Sequence, residues 1–414
     1  MLQILSYQPA FRTHFQRLNE EWLRHYFQVE PVDQVMFDDP EGTILQKNGL
    51  IYFALWGDEV VGTASLLHIE NRQGELAKMA VDPAFQGKGI GKALVEHCLM
   101  EAKRMGLTTV YLFTNSKLTA AVEMYRRLGF RETPVGTSEY SRTNMRMERY
   151  VGNSALYEST DRVEDAFEED RLPEEQQQAQ WAELVWLKQA IFDIYQQKGA
   201  PVDILDIGVG SARILRRLHA IPEVWAQIGS YDGMDNAQAC VDISAKAVEE
   251  MNISDKVKVR YADIHLLDSW DHPYDIIMTT WFTGGNFYPM DFPFDTYSPE
   301  KERYDLSFNP AFDRVFSTAW QRLRPGGAII LGSCYVDSDA TRRRQEAFYR
   351  HLKMSVITDE KDTFTATKER FWSQRFTPER LRRYFHFAPA ENVQIIPLDT
   401  YRFAVQVRVN KGQI

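Results

Sequence analysis

Cysteine is scarce in this chain: Cys98, Cys240 and Cys334 stand far apart in 414 residues. An odd, dispersed set supplies neither a disulfide framework nor the paired spacing of a structural zinc site, so a reducing cytoplasm is the expected compartment. Long apolar runs are missing as well. No stretch approaches the ~20 residues that a membrane-spanning helix requires. The opening Met1-Leu2-Gln3-Ile4-Leu5 lacks the basic segment and apolar core of a secretory leader. Basic excess is absent too. Lys and Arg total 48 against 58 Asp and Glu, which argues against nucleic acid as a partner. No internal repeat and no extended low-complexity tract occurs. The expected partner is a small molecule; the oligomeric state is open.

What the chain does have is length for two cores, and a charge distribution that marks their border. Residues 1–150 carry 17 basic and 18 acidic side chains, and residues 181–414 carry 29 and 31. Residues 151–180 carry 2 and 9, with Pro173 and few aliphatic residues, and read as an acidic linker between two domains. Ahead of the linker, strand patterns at 2–5, 50–55, 59–67, 74–81 and 109–113 mix with helical patterns at 11–26, 91–104 and 118–127. These predict a mixed α/β sheet fold. Behind it, a helical pattern over 181–195 leads into strands near 202–206, 228–234, 256–261, 274–279 and 327–334 that alternate with helices. That alternation predicts a doubly wound, Rossmann-like sheet. Runs at 391–397 and 400–409 predict a terminal antiparallel hairpin. Thr377-Pro378 predicts a capped helix start.

Each expected domain carries one glycine-rich junction between a strand and a helix. In the first, Gln86-Gly87-Lys88-Gly89-Ile90-Gly91 opens the helix at 91–104. The missing side chains let a pyrophosphate approach main-chain amides at a helix N-terminus. Val81-Asp82-Pro83 precedes this loop, and Asn115, Tyr125 and Leu128-Gly129-Phe130 come after it. The ordered pair Gln-x-x-Gly-x-Gly at 86–91 and Tyr-x-x-Leu-Gly-Phe at 125–130 resembles the GNAT family of N-acetyltransferases over residues 1–150. The resemblance implies a GNAT-type fold and acetyl-CoA, cradled by Gln86, Gly87, Lys88, Gly89 and Gly91. It further implies a pantetheine arm along the backbone near Met79 and Val81, Asn115 on that arm, and Tyr125 protonating the departing thiolate.

Acetyl transfer requires a neutral amine, so a base has to remove its proton. Glu75, at the head of the strand at 74–81, is the first candidate and His68 the second. Acceptor recognition is expected among Asn19, Glu21, Trp22, Tyr26, Glu30 and Asp33, where rings beside carboxylates suit a cationic amine with an apolar body. The same pattern also describes an amphipathic helix with an aromatic core face. Arg142 suits a carboxylate.

In the second expected domain, the strand Val202-Asp203-Ile204-Leu205 runs into Asp206-Ile207-Gly208-Val209-Gly210-Ser211-Ala212. Asp235 ends the next strand, Asp263 comes after the third, and Leu323-Arg324-Pro325-Gly326-Gly327 precedes the fifth. This order resembles class I S-adenosylmethionine-dependent methyltransferases over about 200–335 and more loosely to residue 414, with a seven-stranded Rossmann-like sheet. The resemblance implies S-adenosyl-L-methionine, with Asp206, Gly208 and Gly210 at the loop, Asp235 on the ribose hydroxyls and Asp263 at the adenine. Methyl transfer from a sulfonium asks the protein mainly to position and desolvate. The aromatic-rich stretch from Trp281 to Phe312, including Asn286 and Tyr288, is either a substrate cage or packing for a long loop. Trp281, Asn286 and Tyr288 are the acceptor-binding candidates.

The two resemblances imply a bifunctional transferase acting on small amines or amino-acid-like molecules. The alternatives are a single-activity transferase whose other domain is a cofactor-binding sensor or scaffold, or an acetyltransferase that modifies proteins. If both groups go to one nitrogen, methylation has to precede acetylation, because an amide lone pair is delocalised into the carbonyl.

Overall fold

The computed structural model describes residues 2–136, 140–152, 154–157, 160–167, 174–262, 272–289, 292–294, 297–301, 303–360, 363–398 and 403–412. The chain divides into two compact units, Met1–Gly152 and Asn153–Ile414.

The first unit comprises β1 (Leu2–Ser6), α1 (Arg12–Tyr26), α2 (Pro31–Asp38), α3 (Pro40–Thr43), β2 (Leu50–Trp56), β3 (Glu59–Glu70) and β4 (Gln73–Val81). After these come α4 (Ile90–Arg104), β5 (Thr109–Thr114), α5 (Thr119–Arg127), β6 (Arg131–Thr133) and β7 (Met145–Tyr150). Its strands form one sheet in the order β1-β2-β3-β4-β5-β7-β6. Every described neighbour pair is antiparallel except β4 with β5. The sheet is covered on both faces. Ile90, Leu94, Val95 and Cys98 of α4 and Val122 and Tyr125 of α5 pack with Tyr52, Ala54, Leu66 and Leu76 on one side. Phe15, Leu18 and Leu23 of α1 and Met36 and Phe37 of α2 pack with Ile51, Phe53 and Ala80 on the other.

Two irregularities set β4 apart from the other strands. Its ladder with β5 covers only Gln73–Glu75 against Thr109–Tyr111, so from Leu76 onward β4 has no partner on that edge. Opposite β3, the pairs Thr63↔Ala80 and Ser65↔Ala77 leave one extra residue in β4, a bulge. Lys78 stands in it with φ +50°. Side chains alternate along a strand, so an inserted residue reverses the faces beyond it. Leu76 packs on the α4 side, and so do Met79 and Val81. Ala77 and Ala80 pack on the α1 side, and Lys78 joins them, with its ammonium over the Phe37 ring.

The second unit begins with α6 (Thr160–Phe167) and α7 (Glu174–Lys198), both starting within the stretch that composition marks as a linker. Asp161 and Glu174 are exposed residues in the first turns of these helices. Next come β8 (Val202–Ile207), α8 (Arg213–His219), α9 (Pro222–Trp225), β9 (Ile228–Asp235), α10 (Gln238–Glu250), β10 (Val257–Tyr261) and β11 (Tyr274–Thr279). The unit continues with α11 (Pro310–Arg322), β12 (Leu323–Tyr335), α12 (Asp339–His351), β13 (Val356–Glu360), β14 (Phe364–Thr367), β15 (Trp372–Gln374), α13 (Pro378–Tyr384), β16 (Val393–Pro397) and β17 (Ala404–Asn410). The main sheet runs β10-β9-β8-β11-β12-β17-β16. Its first five strands are parallel, and β17 is antiparallel to both neighbours. The chain winds outward from β8 through β9 to β10, then returns to β11 on the other side of β8. The strand order thus reverses between β8 and β11, the place beyond whose carboxyl ends open parallel sheets generally take ligands.

A second sheet, β13-β14-β15, has no counterpart in the sequence expectations. Its strands are only three to five residues long, and the alternation in Phe364-Thr365-Ala366-Thr367 is too short to mark a strand by itself. Arg375, fully buried beside it, ion-pairs with Asp359 at 2.5 Å and donates to Gln345 at 2.8 Å and Thr365 at 2.7 Å. Thr377 caps α13 through the Arg380 amide at 3.3 Å. Among the described residues no helix is long and apolar enough to cross a membrane.

Candidate functional site

In the first unit the splayed edge of β4 opens a cavity of about 630 Å³. Gln86, Gly87, Gly89 and Gly91 line one end with Asn115, and Met79, Val81 and Tyr125 line its middle. Trp22, Tyr26, Asp33, Tyr140 and Arg142 line the rest, together with Glu75 and Lys78. The loop ahead of α4 is built for close approach. Gly87 and Gly89 have φ +77° and +80°, and a Cβ on either would meet nothing within 4 Å. The first amides of α4 have no intrahelical acceptor, so they and the helix dipole favour an anion there. Lys88 lies apart from the cavity lining. Its ammonium sits over the rings of Phe85 at 4.5 Å and Trp56 at 5.5 Å.

Tyr125 is held on α5 with its ring against Phe130, and its hydroxyl donates to Met79 Sδ at 3.5 Å. Burial raises its pKa well above the ordinary phenol value, so the proton stays on at neutral pH. Asn115 uses both ends of its amide locally, donating to the Arg142 carbonyl at 2.7 Å and accepting from the Lys117 amide at 2.9 Å. Glu75 is buried at the last β4–β5 pair, where the strands begin to part. The side chain of His68 lies outside the described residues.

The far end of the cavity differs from the sequence expectation. Arg142 does not offer an open guanidinium: its two terminal nitrogens donate to Asp33 at 2.7 and 3.0 Å. Glu30 does not line the cavity either. It holds the Arg142 loop, accepting from the Ser141 amide and hydroxyl at 3.1 Å and from the Arg142 amide at 3.3 Å. Asp33, fully buried, also accepts from Lys78 Nζ at 2.6 Å. Burial alone would raise the Asp33 pKa, but the Arg142 hydrogen bonds and the Lys78 charge reverse this and hold it below the usual range. Burial pushes Lys78 the other way, weakening its ammonium despite the Asp33 carboxylate. Trp22 and Tyr26 do line the cavity, their ring centroids 5.7 Å apart.

Lys78 is the residue that strand alternation hides. Counting by twos from Glu75 puts residue 78 on the opposite face, and only the bulge returns it.

In the second unit the junction after β8 is similar in outline. Gly208 and Gly210 have φ +80° and +57°. Asp235, at the end of β9, accepts from the amides of Gly210 at 3.1 Å and Ala237 at 2.9 Å. Asp206 is buried beneath the loop, with Oδ2 accepting from the Tyr231 hydroxyl at 2.5 Å and Oδ1 without a hydrogen-bond partner among the described residues. Burial raises its pKa to about 7. Asp263 lies outside the described residues.

After β11, Trp281 and Phe282 both adopt left-handed backbone, φ +45° and +68°, a strained pair at a candidate site. Buried Glu183 of α7 holds it by accepting from the Trp281 amide at 2.7 Å, while Arg213 donates to the same carboxylate at 2.5 Å. Asn286 hydrogen-bonds Tyr157, whose hydroxyl lies near enough to Asp235 to feel its charge. By sequence alone Tyr157 falls in the linker and Glu183 in a plain helix, and neither carries a local signal of this role.

The aromatic stretch is mainly packing. Phe292, Phe294, Leu306, Phe364, Ala366 and Trp372 form a buried cluster, with Tyr288, Tyr297 and Tyr304 packed against it. Tyr288 lies edge-on to Phe294 at 5.3 Å, so this ring belongs to a core rather than to an open cage.

Residues 12–130 match the family model described as the acetyltransferase (GNAT) family. The chain is 33% identical over 113 residues to the ribosomal protein bS18-alanine N-acetyltransferase of Escherichia coli strain K12, covering 27% of this chain and 76% of that protein. It is 31% identical over 105 residues to the uncharacterized N-acetyltransferase YvbK of Bacillus subtilis strain 168, covering 25% and 68%. The crystal structure of the ribosomal-protein-S18-alanine N-acetyltransferase from Escherichia coli aligns at 20% identity and TM-score 0.31, over 37% of this chain and 97% of that one.

Proposed function

This chain belongs to the GNAT acetyltransferase family through its first unit, and from that premise we propose that it transfers an acetyl group from acetyl-CoA to a small amine. The observation that carries the reading is the parted edge of β4. It joins a helix N-terminus free of side chains to a buried phenol and then to a pocket with carboxylates. The residues fit the cofactor: open space over Gly87 and Gly89 admits a pyrophosphate, and the β4 main chain beyond Glu75 has an unpaired edge for an amide-bearing arm. Bound acetyl-CoA supplies the activated acyl group.

The chain's own residues do the rest. The loop amides hold the anionic end, Met79 and Val81 line the arm, and Glu75 accepts the proton that the amine has to lose. Tyr125 donates a hydrogen bond to the sulfur as it departs. A free thiol has a pKa of about 8.5, lower than a buried phenol, so the proton moves only as charge builds on sulfur.

For the second unit we propose S-adenosylmethionine-dependent methylation of a small molecule. The support is the strand order with its reversal between β8 and β11, and the loop with positive φ at Gly208 and Gly210 beside Asp235. Asp235 would hold ribose hydroxyls, and Trp281 and Asn286 would stand at the acceptor side. The second reading, one active unit and one sensor or scaffold, draws support from Asn286 and Tyr157 already engaging each other.

Calorimetric titration of the full chain with acetyl-CoA and with S-adenosylmethionine, singly and in succession, separates the readings. Two independent one-to-one sites are expected. No heat with acetyl-CoA would overturn the first assignment, and none with S-adenosylmethionine would remove the second.

A further inference from the structure

Lys78 is out of place for an acetyl-transfer slot whose business is a cationic amine. Its side chain is only 4% exposed, yet it lines the cavity. An ammonium has three N–H donors. One goes to Asp33 at 2.6 Å and one to the Tyr140 hydroxyl at 3.2 Å. Its aromatic neighbours, Phe37 at 5.6 Å and Tyr140 at 4.7 Å, stabilise the charge but accept no proton.

The groups around it cancel rather than repel. Asp33 lies between Lys78 and Arg142, and Glu30 sits 3.2 Å from Arg142, so two carboxylates balance two cations. Glu75, three residues earlier in β4, is near enough for its charge to act on Lys78. The bulge is what brings both residues to one side. The same pocket thus presents a carboxylate and an N–H donor, the complement of a molecule carrying an amine next to an oxygen acceptor.

We propose that Lys78, fixed by Asp33 and Tyr140, gives its third N–H to an oxygen on the carbon neighbouring the acceptor amine. Unit 1 thereby selects amines that bear an α-carbonyl or α-carboxylate. This rests on the acetyl-transfer reading. The shared chemistry is the aminoacyl group, and it has two sources: a free amino acid or the first residue of a peptide. An anionic or carbonyl oxygen at the third N–H also offsets the desolvation that weakens the ammonium. Lys78 touches the substrate in this account but takes no part in bond making. Nitrogen attacks the thioester carbonyl, the carbon–sulfur bond breaks, and the amine proton leaves towards Glu75.

The test uses the full chain and thiol release from acetyl-CoA, with alanine, alaninamide, a tripeptide beginning with alanine, and ethylamine as acceptors. The wild-type protein should use at least one aminoacyl compound about ten- to a hundredfold better in kcat/KM than ethylamine, the worth of one charge-assisted hydrogen bond. Alanine best, or tripeptide best, tells the two sources apart. Lys78→Met should remove that preference through KM for the acceptor, and Lys78→Arg should restore part of it. KM for acetyl-CoA should not move in either variant.

Lys78→Met leaves Asp33 with one partner fewer, so its fold is checked by acetyl-CoA calorimetry and thermal melting. The wild-type series stands without it. Ethylamine used as well as the aminoacyl compounds would overturn the inference. So would acetyl-CoA binding with no aminoacyl turnover. Failure of acetyl-CoA to bind would instead overturn the acetyl-transfer reading itself.

Discussion

Gly87 and Gly208 occupy corresponding places in the two units, each after a strand and ahead of a helix, with φ of +77° and +80°. A methyl group added to each would meet different surroundings. At Gly87 it would touch nothing within 4 Å, whereas at Gly208 it would lie 2.5 Å from Thr283 Cγ2. The first glycine leaves room for something that arrives; the second makes room for a neighbour already there. The buried carboxylates contrast in the same way. Asp33 in the first unit is saturated by two cations, while Asp206 in the second has one oxygen without a hydrogen-bond partner among the described residues. The first unit is finished electrostatically around an open cavity. The second keeps an uncompensated acid beneath its loop.

Asp33→Ala tests that contrast hardest. Removing the common partner of a buried and a half-buried cation should cost about 3–5 kcal/mol in the first unit, read from its transition in denaturant, with the transition of the second unit unmoved. Its pH dependence has a definite sign. The folded pKa of Asp33 is depressed, so its contribution is complete above the unfolded value near ~3.9 and is lost as pH falls below that towards the folded value. A flat stability of the first unit below pH ~4 would break the account.

Asp206 should behave in the opposite sense. Its folded pKa, about 7, stands above the unfolded value, so the folded unit binds more protons between pH ~4 and ~7 and loses stability as pH rises through that window. The loss is at most about 4 kcal/mol. Asp206→Asn should flatten this slope, measured as the difference between variant and wild type across the window. An unchanged slope would assign it to other groups.

The glycine pair comes next. Gly208→Ala combines left-handed strain with overlap and should destabilise the second unit by about 2–4 kcal/mol. Gly87→Ala should cost the first unit only the strain, about 1–2 kcal/mol, while weakening acetyl-CoA binding in calorimetry. Equal losses would erase the distinction between the two loops.

Local signals are the ones a sequence displays. Alternation and glycine loops are local, so the strand series and both junctions are legible directly from 74–91 and 202–212. Trp22 and Tyr26 can be placed on one face because a helix repeats every 3.6 residues, whereas Asp33 lies in a separate helix and meets Lys78 and Arg142 only through tertiary contacts. Lys78 cannot be placed so, since its orientation depends on one inserted residue whose position is set by pairing with β3. Arg142 looks available because its partner lies 109 positions earlier in the chain. Helix formation in α6 and α7 is masked by acidic composition that equally suits a tether. The β13-β14-β15 sheet is masked because its strands are only three to five residues long and pair through contacts distant from the main sheet's pattern. The rings from Trp281 to Phe312 are visible as a sequence cluster, but a cluster does not say whether rings face each other or a ligand, and Phe364 and Trp372 join it only in the fold.

Tyr125→Phe should move stability least and chemistry most. The hydroxyl donates to a thioether, a weak acceptor, at 3.5 Å, and the ring contact with Phe130 at 5.7 Å survives the change. A stability loss within about 1 kcal/mol is therefore expected. If the hydroxyl serves the departing sulfur, kcat should fall about a hundredfold, the low end for general acid catalysis. KM for acetyl-CoA should stay put, because the interaction strengthens only as negative charge develops on sulfur. The pH profile of the rate should keep its wild-type shape, since the deleted group is protonated throughout. A variant that keeps its kcat would leave Tyr125 as a core aromatic, and the sulfur would then draw its proton from water within the cavity. In that case the parted β4 edge and the loop ahead of α4 would do their positioning without help from α5, and the first unit would resemble the second more closely than its packing suggests.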